Sequence, residues 1–175
     1  DIVDISLIES GHIHLSYRFF SLQKVVDSIS ATIEASELYQ KRPLVKLTYE
    51  IDPLLDQVYI DEGRVTQILI NLITNSLKYT PEGSIHVKIV KKGNYMQTSV
   101  QDNGVGIPKV EQEKIFNRFS KIERKGSYNM PGIGLGLSIT KGLCEAMNGK
   151  IWFESEIEIG TTFTFILPID NTEPA

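Results

Sequence analysis

Cysteine is almost absent from this chain. The one present, Cys144, cannot close an internal disulfide and sits in a helical apolar pattern, as a small buried hydrophobe would. A disulfide scaffold is thereby excluded, and a reducing compartment suits the composition. Long apolar runs are missing as well: no stretch reaches the ~18 residues of a membrane span, and no secretory leader opens the sequence. Nor is there an excess of basic charge. A net charge of -4 and a pI near 5.4 give no electrostatic reason to expect nucleic acid as a partner. Internal repeats and low-complexity tracts are lacking. What remains is 175 residues, 41% hydrophobic and 23% charged, enough for one core and too apolar for disorder. The expected location is cytoplasmic; a longer parent protein with its own membrane anchor is compatible with that.

The stretch that organises the chain runs from Asp61 to Pro81. Val65, Ile68, Leu69, Leu72 and Ile73 form one helical stripe that must face a core. Asp61 is placed to cap the start, and Thr80-Pro81 stops the helix. A second set, Asn71, Asn75 and Lys78, recurs at spacings that put its members about one turn, ~5–6 Å, apart. Asparagine is a mediocre helix former, so two of them in mid-helix beside a lysine need a reason.

Ile2, Ile5 and Ile8 read as the tail of a helix ending at Gly11. Leu15, Tyr17 and Phe19 then alternate as a short extended stretch. Ser21 caps a helix with Leu22, Val25, Val26, Ile29 and Ile33 on one face, and Phe20 with Val25 forms a hydrophobic staple. Strands are expected at 44–51, 57–60, 84–92 and 95–101, the last two an antiparallel pair with Ile85, Val87 and Ile89 facing one way. Pro108 opens a short helix to Phe116, and 120–131 form a charged, Gly- and Pro-punctuated loop. A helix from Leu135 to Met147 and a hairpin of strands 150–155 and 161–167 complete the chain before a polar tail. This order predicts an α+β fold with the helices on one face of the sheet.

Three glycine clusters stand out: Asp102-Asn103-Gly104-Val105-Gly106, Gly132-Ile133-Gly134-Leu135-Gly136 at a helix start, and Gly160-Thr161-Thr162 in the last hairpin. Glycines at a helix start let phosphate approach unpaired N–H groups. Singly each is as well read as a plain turn, and neither the P-loop nor the Rossmann pattern fits. In order, however, the Asn-rich helix, Asp102 before Gly-x-Gly, Ile115-Phe116-Asn117-Arg118-Phe119, the loop, Gly-x-Gly-Leu-Gly-Leu and Gly-Thr form one set. That set closely resembles the catalytic ATP-binding domain of sensor histidine kinases, in the wider family of Hsp90, MutL and type II topoisomerases. The resemblance covers residues 19–168. It implies a two-layer α/β sandwich, the Bergerat fold: a mixed, mostly antiparallel sheet covered by three helices on one face. It also implies ATP and Mg2+ as cofactors.

By that resemblance Asn71 and Asn75 would hold the metal through amide oxygens, which suit a hard cation without adding charge beside a triphosphate. Asn75 and Lys78 would be the catalytic pair, Lys78 meeting phosphate as a point charge. Asp102 would accept a hydrogen bond from the adenine amino group, the contact that favours ATP over GTP. Tyr79, Gly104, Gly106 and Ile107 would shape the base pocket, with Thr162 on the base side through water. Backbone amides of Gly132, Gly134, Leu135, Gly136 and Leu137 would hold the phosphate tail. Residues 120–131 would be a lid, with Lys121, and Arg118, Arg124 or Lys125 beside it, reaching the γ-phosphate. Tyr79 and Ile107 read equally well as core residues, and Lys121 and Arg124 as solvated surface charges.

The family's ATPases carry a glutamate one turn before the metal asparagine, where this chain has Asn71. A neutral amide cannot act as a general base near pH 7, so transfer to a histidine is expected rather than hydrolysis. The acceptor histidine lies elsewhere: His12 and His14 fall in a linker without a following acidic residue, and His86 faces outward on a strand. Residues 1–18 resemble the end of a dimerisation helix and its linker, so the partner is expected to be a histidine-bearing dimerisation domain of the same parent, itself a homodimer. A response-regulator receiver domain would act downstream, and 169–175 read as a polar tail. The alternative is a degenerate nucleotide-binding regulatory module without phosphotransfer.

Overall fold

The computed structural model describes residues 2–121 and 134–169. Its helices are α1 (Ile2–Glu9), α2 (Leu22–Glu34), α3 (Glu37–Gln40), α4 (Glu62–Tyr79), α5 (Lys109–Gln112) and α6 (Gly136–Ala146). Its strands are β1 (Tyr17–Ser21), β2 (Val45–Ile51), β3 (Gln57–Asp61), β4 (Gly83–Lys92), β5 (Tyr95–Asp102), β6 (Lys150–Glu156) and β7 (Gly160–Pro168). β1 and β3 form an antiparallel pair, and the other five make one sheet in the order β2-β4-β5-β7-β6. Among the described strands only β2 and β4 pair in parallel; that pairing needs a crossover, which the chain makes through β3 and α4. The sheet is therefore mixed and mostly antiparallel, with α2, α4 and α6 packed on one face.

Local chemistry explains the element ends. The Ser21 side chain accepts from Lys24 N at the start of α2, and Phe20 and Val25 close the staple as buried residues. Asp61 caps α4 by accepting from Arg64 N at 3.0 Å, and its other oxygen takes Ser16 N at 2.7 Å. At the far end Thr80 is extended before Pro81, leaving carbonyls without helical partners. Arg42 supplies them: its Nε donates to Leu77 O at 3.1 Å and its Nη2 to Lys78 O at 3.3 Å.

Three readings differ from the sequence expectation. In β1 it is Phe20 that turns inward, while Tyr17 and Phe19 face out and meet Tyr59 at centroid distances of 5.9 and 4.9 Å. Packing against α4 selects the inward parity, and cross-strand stacking occupies the outer one. The single turn α3, capped by Ser36, is too short to carry periodicity. α5 stops at Gln112, and turns replace the helix expected up to Phe116. Residues 122–131 of the expected loop lie outside the described residues.

Strand register stacks the inner face into rows. One row holds Tyr49, Val87, Val100, Phe163 and Phe153; the next holds Ile51, Ile89, Thr98, Phe165 and Ile151. The row at the end of β5 reads Leu47, Ile85, Asp102, Thr161 and Ser155. Here the polar character of the inner face concentrates, and here the core gives way to a cavity. Leu72, on the core side of α4, is 0% exposed. Leu72→Ala is expected to lower the unfolding free energy by about 2–5 kcal/mol, read from urea denaturation at unchanged slope.

Candidate nucleotide site

Asp102 ends β5 on the inner face and is 7% exposed. Two backbone donors grip the same oxygen: Gly104 N reaches Oδ1 at 3.0 Å and Thr161 N at 3.1 Å. Oδ2 is held by neither. Burial raises the carboxyl above its ordinary value of 3.8, against the lowering pull of Gly104 N, the Ser76 hydroxyl and Thr161 N. The backbone then turns tightly. Gly106 has φ +69°, and a Cβ there would stand 2.0 Å from Glu156 O; a Cβ on Gly104 would stand 2.3 Å from Tyr79 O. These glycines let the segment after β5 pass between the end of α4 and the β6–β7 hairpin. Ser155 ties the segment down, accepting from Ile107 N at 2.8 Å and sharing a hydrogen bond with Thr161 Oγ1 at 2.7 Å.

The resulting cavity brings together Asn75, Tyr79, Asp102, Gly106, Ile107 and Leu137 of the expected residues. Ile115, Ser120, Thr161 and Phe163 also line it: Ile115 and Thr161 belong to the Ile115–Phe119 and Gly160–Thr162 motifs and Ser120 opens the expected lid, without being among the expected site residues, and Phe163 carries no motif. Gly104 stands behind it against α4. Thr162 is not in this cavity. Its strand partners are Gln101 and Glu154, on the opposite face of the sheet, whereas Thr161 pairs with Asp102. The alternation that buries Phe163 and Phe165 requires this parity, so the threonine that lines the cavity is Thr161.

Asn71 lies one turn before Asn75 and reaches α6: its Nδ2 donates to Gly136 O and to Thr140 Oγ1, both at 3.4 Å. α6 starts at Gly136, preceded by the buried Leu135 with no side-chain cap and by Gly134 at φ +77°. Its first N–H groups and the positive end of its dipole make a seat for an anion. A Cβ on Gly136 would meet nothing within 4 Å, so that approach is open. Lys78 is half-buried; burial first, and then the neighbouring Lys121, holds its ammonium below the ordinary 10.5. Two lysines that repel each other are relieved by a bound anion. Gly132, Arg124 and Lys125 lie outside the described residues. Arg118 instead pairs with Glu9 of α1.

Among the described residues no group of three or more His, Cys, Asp or Glu converges. His86 sits on the outer face, hydrogen-bonded to Thr48 Oγ1 at 2.7 Å and 3.3 Å from Glu50. Burial pushes the Cys144 thiol up to about 12, which suits an inert core residue. No described helix is long and apolar enough to cross a membrane.

Comparison with known proteins agrees with this geometry. Residues 60–171 match the family described as histidine kinase-, DNA gyrase B- and HSP90-like ATPase, and the chain belongs to that family. It is 34% identical to the circadian input-output histidine kinase CikA of Synechococcus elongatus, over 99% of this chain and 24% of that protein. It is 41% identical to the sensor histidine kinase WalK of Bacillus subtilis, over 63% of this chain and 19% of WalK. The chain thus spans a quarter or less of these relatives. Among solved structures, the nucleotide-free catalytic domain of histidine kinase ThkA superposes with a TM-score of 0.71 at 28% identity, covering 87% of this chain and 95% of that one. Full-length ShkA in complex with AMPPNP gives 0.85 at 23% identity over 99% of this chain and 35% of ShkA, a likeness of fold. The architecture is that of a histidine kinase catalytic domain.

Because the folded chain binds the Asp102 proton more tightly than the unfolded chain, this group favours folding most below pH 3.8, and that contribution is lost as pH rises through its raised folded value. Asp102→Asn keeps an acceptor for both backbone N–H groups. It is expected to raise the ligand-free melting temperature at pH 7 by about 2–4 °C, as for ~1 kcal/mol at this size. The gain should shrink towards pH 4, which thermal melts at the two pH values check.

Proposed function

We propose that this chain binds Mg·ATP in the Asp102 cavity and, as the catalytic domain of a two-component sensor histidine kinase, donates the γ-phosphate to a histidine on a dimerisation domain of the same parent. Asp102 accepts from the adenine amino group through the oxygen its backbone tethers leave alone. Tyr79 and Ile107 flank the base, and Thr161 serves the base side. Lys78, Lys121 and the open first turn of α6 hold the phosphates. Magnesium, when bound, neutralises phosphate charge; the amide oxygens of Asn75 and Asn71 are the groups suited to hold it, and the absence of a carboxylate cluster among the described residues fits a metal carried in by the nucleotide.

The observation that carries the kinase reading is Asn71. Where a hydrolase of this family needs a carboxylate base, this chain holds a neutral amide already committed to Gly136 O and Thr140. Water gains no general base there, and the γ-phosphate survives for an imidazole. ThkA has been solved in complex with the response regulator TrrA, which supports a receiver domain as the downstream partner here. Residues 1–18 would then belong to the helix and linker leading from the dimerisation domain of a homodimeric parent, and 19–168 to the catalytic unit, with the whole in the cytoplasm. A purely regulatory module is disfavoured because Asn75, Asp102 and the α6 start are all in place.

Calorimetric titration with AMPPNP, with and without magnesium, tests the binding step. Asn75→Ala should cut the magnesium-dependent affinity about 10- to 100-fold and leave metal-free binding nearly unchanged. With γ-labelled ATP, acid-labile label should appear on a dimerisation hairpin supplied in trans and not on this chain. Steady phosphate release that Asn75→Ala abolishes would instead mark a hydrolase.

A further inference from the structure

We infer that Thr140 is a positioning residue for the metal: its hydroxyl, presented from α6 to the Asn71 amide, holds Nδ2 on that helix and so leaves Oδ1 as the end offered to magnesium. This rests on the reading of Asn71 as one of the two amides that hold the ion.

Thr140 lies in the interior of α6, where a β-branched hydroxyl residue is a mediocre helix former. It is 0% exposed, in the company of Ile139, Leu143 and Cys144. Valine would fill the same space with no hydroxyl to satisfy, so packing does not explain the choice. The hydroxyl proton is used within the helix, because Oγ1 donates back to Gly136 O at 2.8 Å. What Oγ1 then presents to α4 is lone pairs, and Asn71 Nδ2 donates to them at 3.4 Å. Gly136 O, which can only accept, takes the same Nδ2 at 3.4 Å.

Both atoms that α6 sets against the amide are therefore acceptors, and an amide has one donor end and one acceptor end. Turned the other way, Oδ1 would stand against two sets of lone pairs and Nδ2 would lose both partners. Rotating the Thr140 hydroxyl to meet a turned amide would give up its 2.8 Å bond and still leave Oδ1 facing Gly136 O. The orientation of Asn71 is thus fixed by the chemistry of its neighbours. Both of its bonds are long, so neither holds the amide firmly alone and the loss of one partner is felt. A hard cation takes oxygen ligands, so which end faces outward decides whether Asn71 can serve a metal. Outer partners that orient a ligating group typically govern metal affinity by about 10- to 100-fold.

The test is calorimetric titration with AMPPNP, with and without magnesium, at a temperature where thermal melts show each protein folded. The proteins are the wild-type chain, Thr140→Val, Thr140→Ala, Thr140→Ser, Asn71→Ala and the Thr140→Val/Asn71→Ala double variant. Thr98→Val is the control, because it removes another fully buried hydroxyl from a row of the sheet away from the cavity. The quantity read is the ratio of the affinities with and without magnesium. Thr140→Val and Thr140→Ala should lower it about tenfold and leave the metal-free affinity nearly unchanged. A merely structural role would move both affinities together with the melting temperature. Thr140→Ser keeps the hydroxyl and should keep the ratio, Thr98→Val should leave it alone, and Thr140→Val should add nothing in the Asn71→Ala background. The assignment is overturned if the ratio survives Thr140→Val, if Thr140→Ser lowers it as much, if Thr98→Val moves it equally, or if the Thr140→Val effect persists without the Asn71 amide. A wild-type ratio in Asn71→Ala would instead overturn the metal reading of Asn71, and the role of Thr140 with it.

Discussion

A carboxylate held in the inner face of a sheet is the constraint around which this domain is built. Neighbouring rows of that face pack almost wholly apolar side chains, yet the row at the end of β5 places Asp102 beside Ile85 and Thr161. Burial opposes its charge, and two backbone N–H groups offset part of that cost by gripping one oxygen. Those donors exist only because the chain turns sharply after β5 and β7 begins in register opposite. The glycines of the Asp102 segment, the Ser155 tie and the closeness of the hairpin to α4 all follow from that arrangement.

α4 does two jobs with two faces. One face closes the core through residues of 0–1% exposure. The other carries Asn71 to the first turn of α6 and Asn75 to the cavity, so the α6 start and the Asp102 cavity are held at a fixed separation by a single rigid rod. Its ends are secured by Asp61 at the start and the Arg42 guanidinium at the finish. A helix so anchored presents its polar groups with little rotational freedom, which is what a site working by position and charge requires.

Most of this architecture is legible in the amino-acid sequence. The 3.6-residue stripe of α4, the Ser21 staple, the alternation in β4 and β5 and the glycine punctuation are local signals, and the elements appear where those signals place them. The differences share a cause. The family resemblance points to Thr162, and the alternation of Tyr17 and Phe19 says nothing of which face is covered, because parity in a strand depends on which face a helix covers. Alternation back from Phe165 and Phe163 points to Thr161 instead. Ser155 and Phe163 carry no motif, since a lone hydroxyl or aromatic becomes part of a site only through what lies across from it.

The chain by itself determined the family, the order of elements and the chemistry on offer: amides where a hydrolase has an acid, a carboxylate before Gly-x-Gly, glycines before a helix. These are properties of residue type and near-neighbour spacing, which a linear text preserves. Only the tertiary structure decided which of those groups meet, because β2 and β4 join across the intervening helix and Asp102 finds its donors as far away as Thr161. Contacts between distant segments depend on register and on which side of the sheet is covered, and neither is written locally in the sequence.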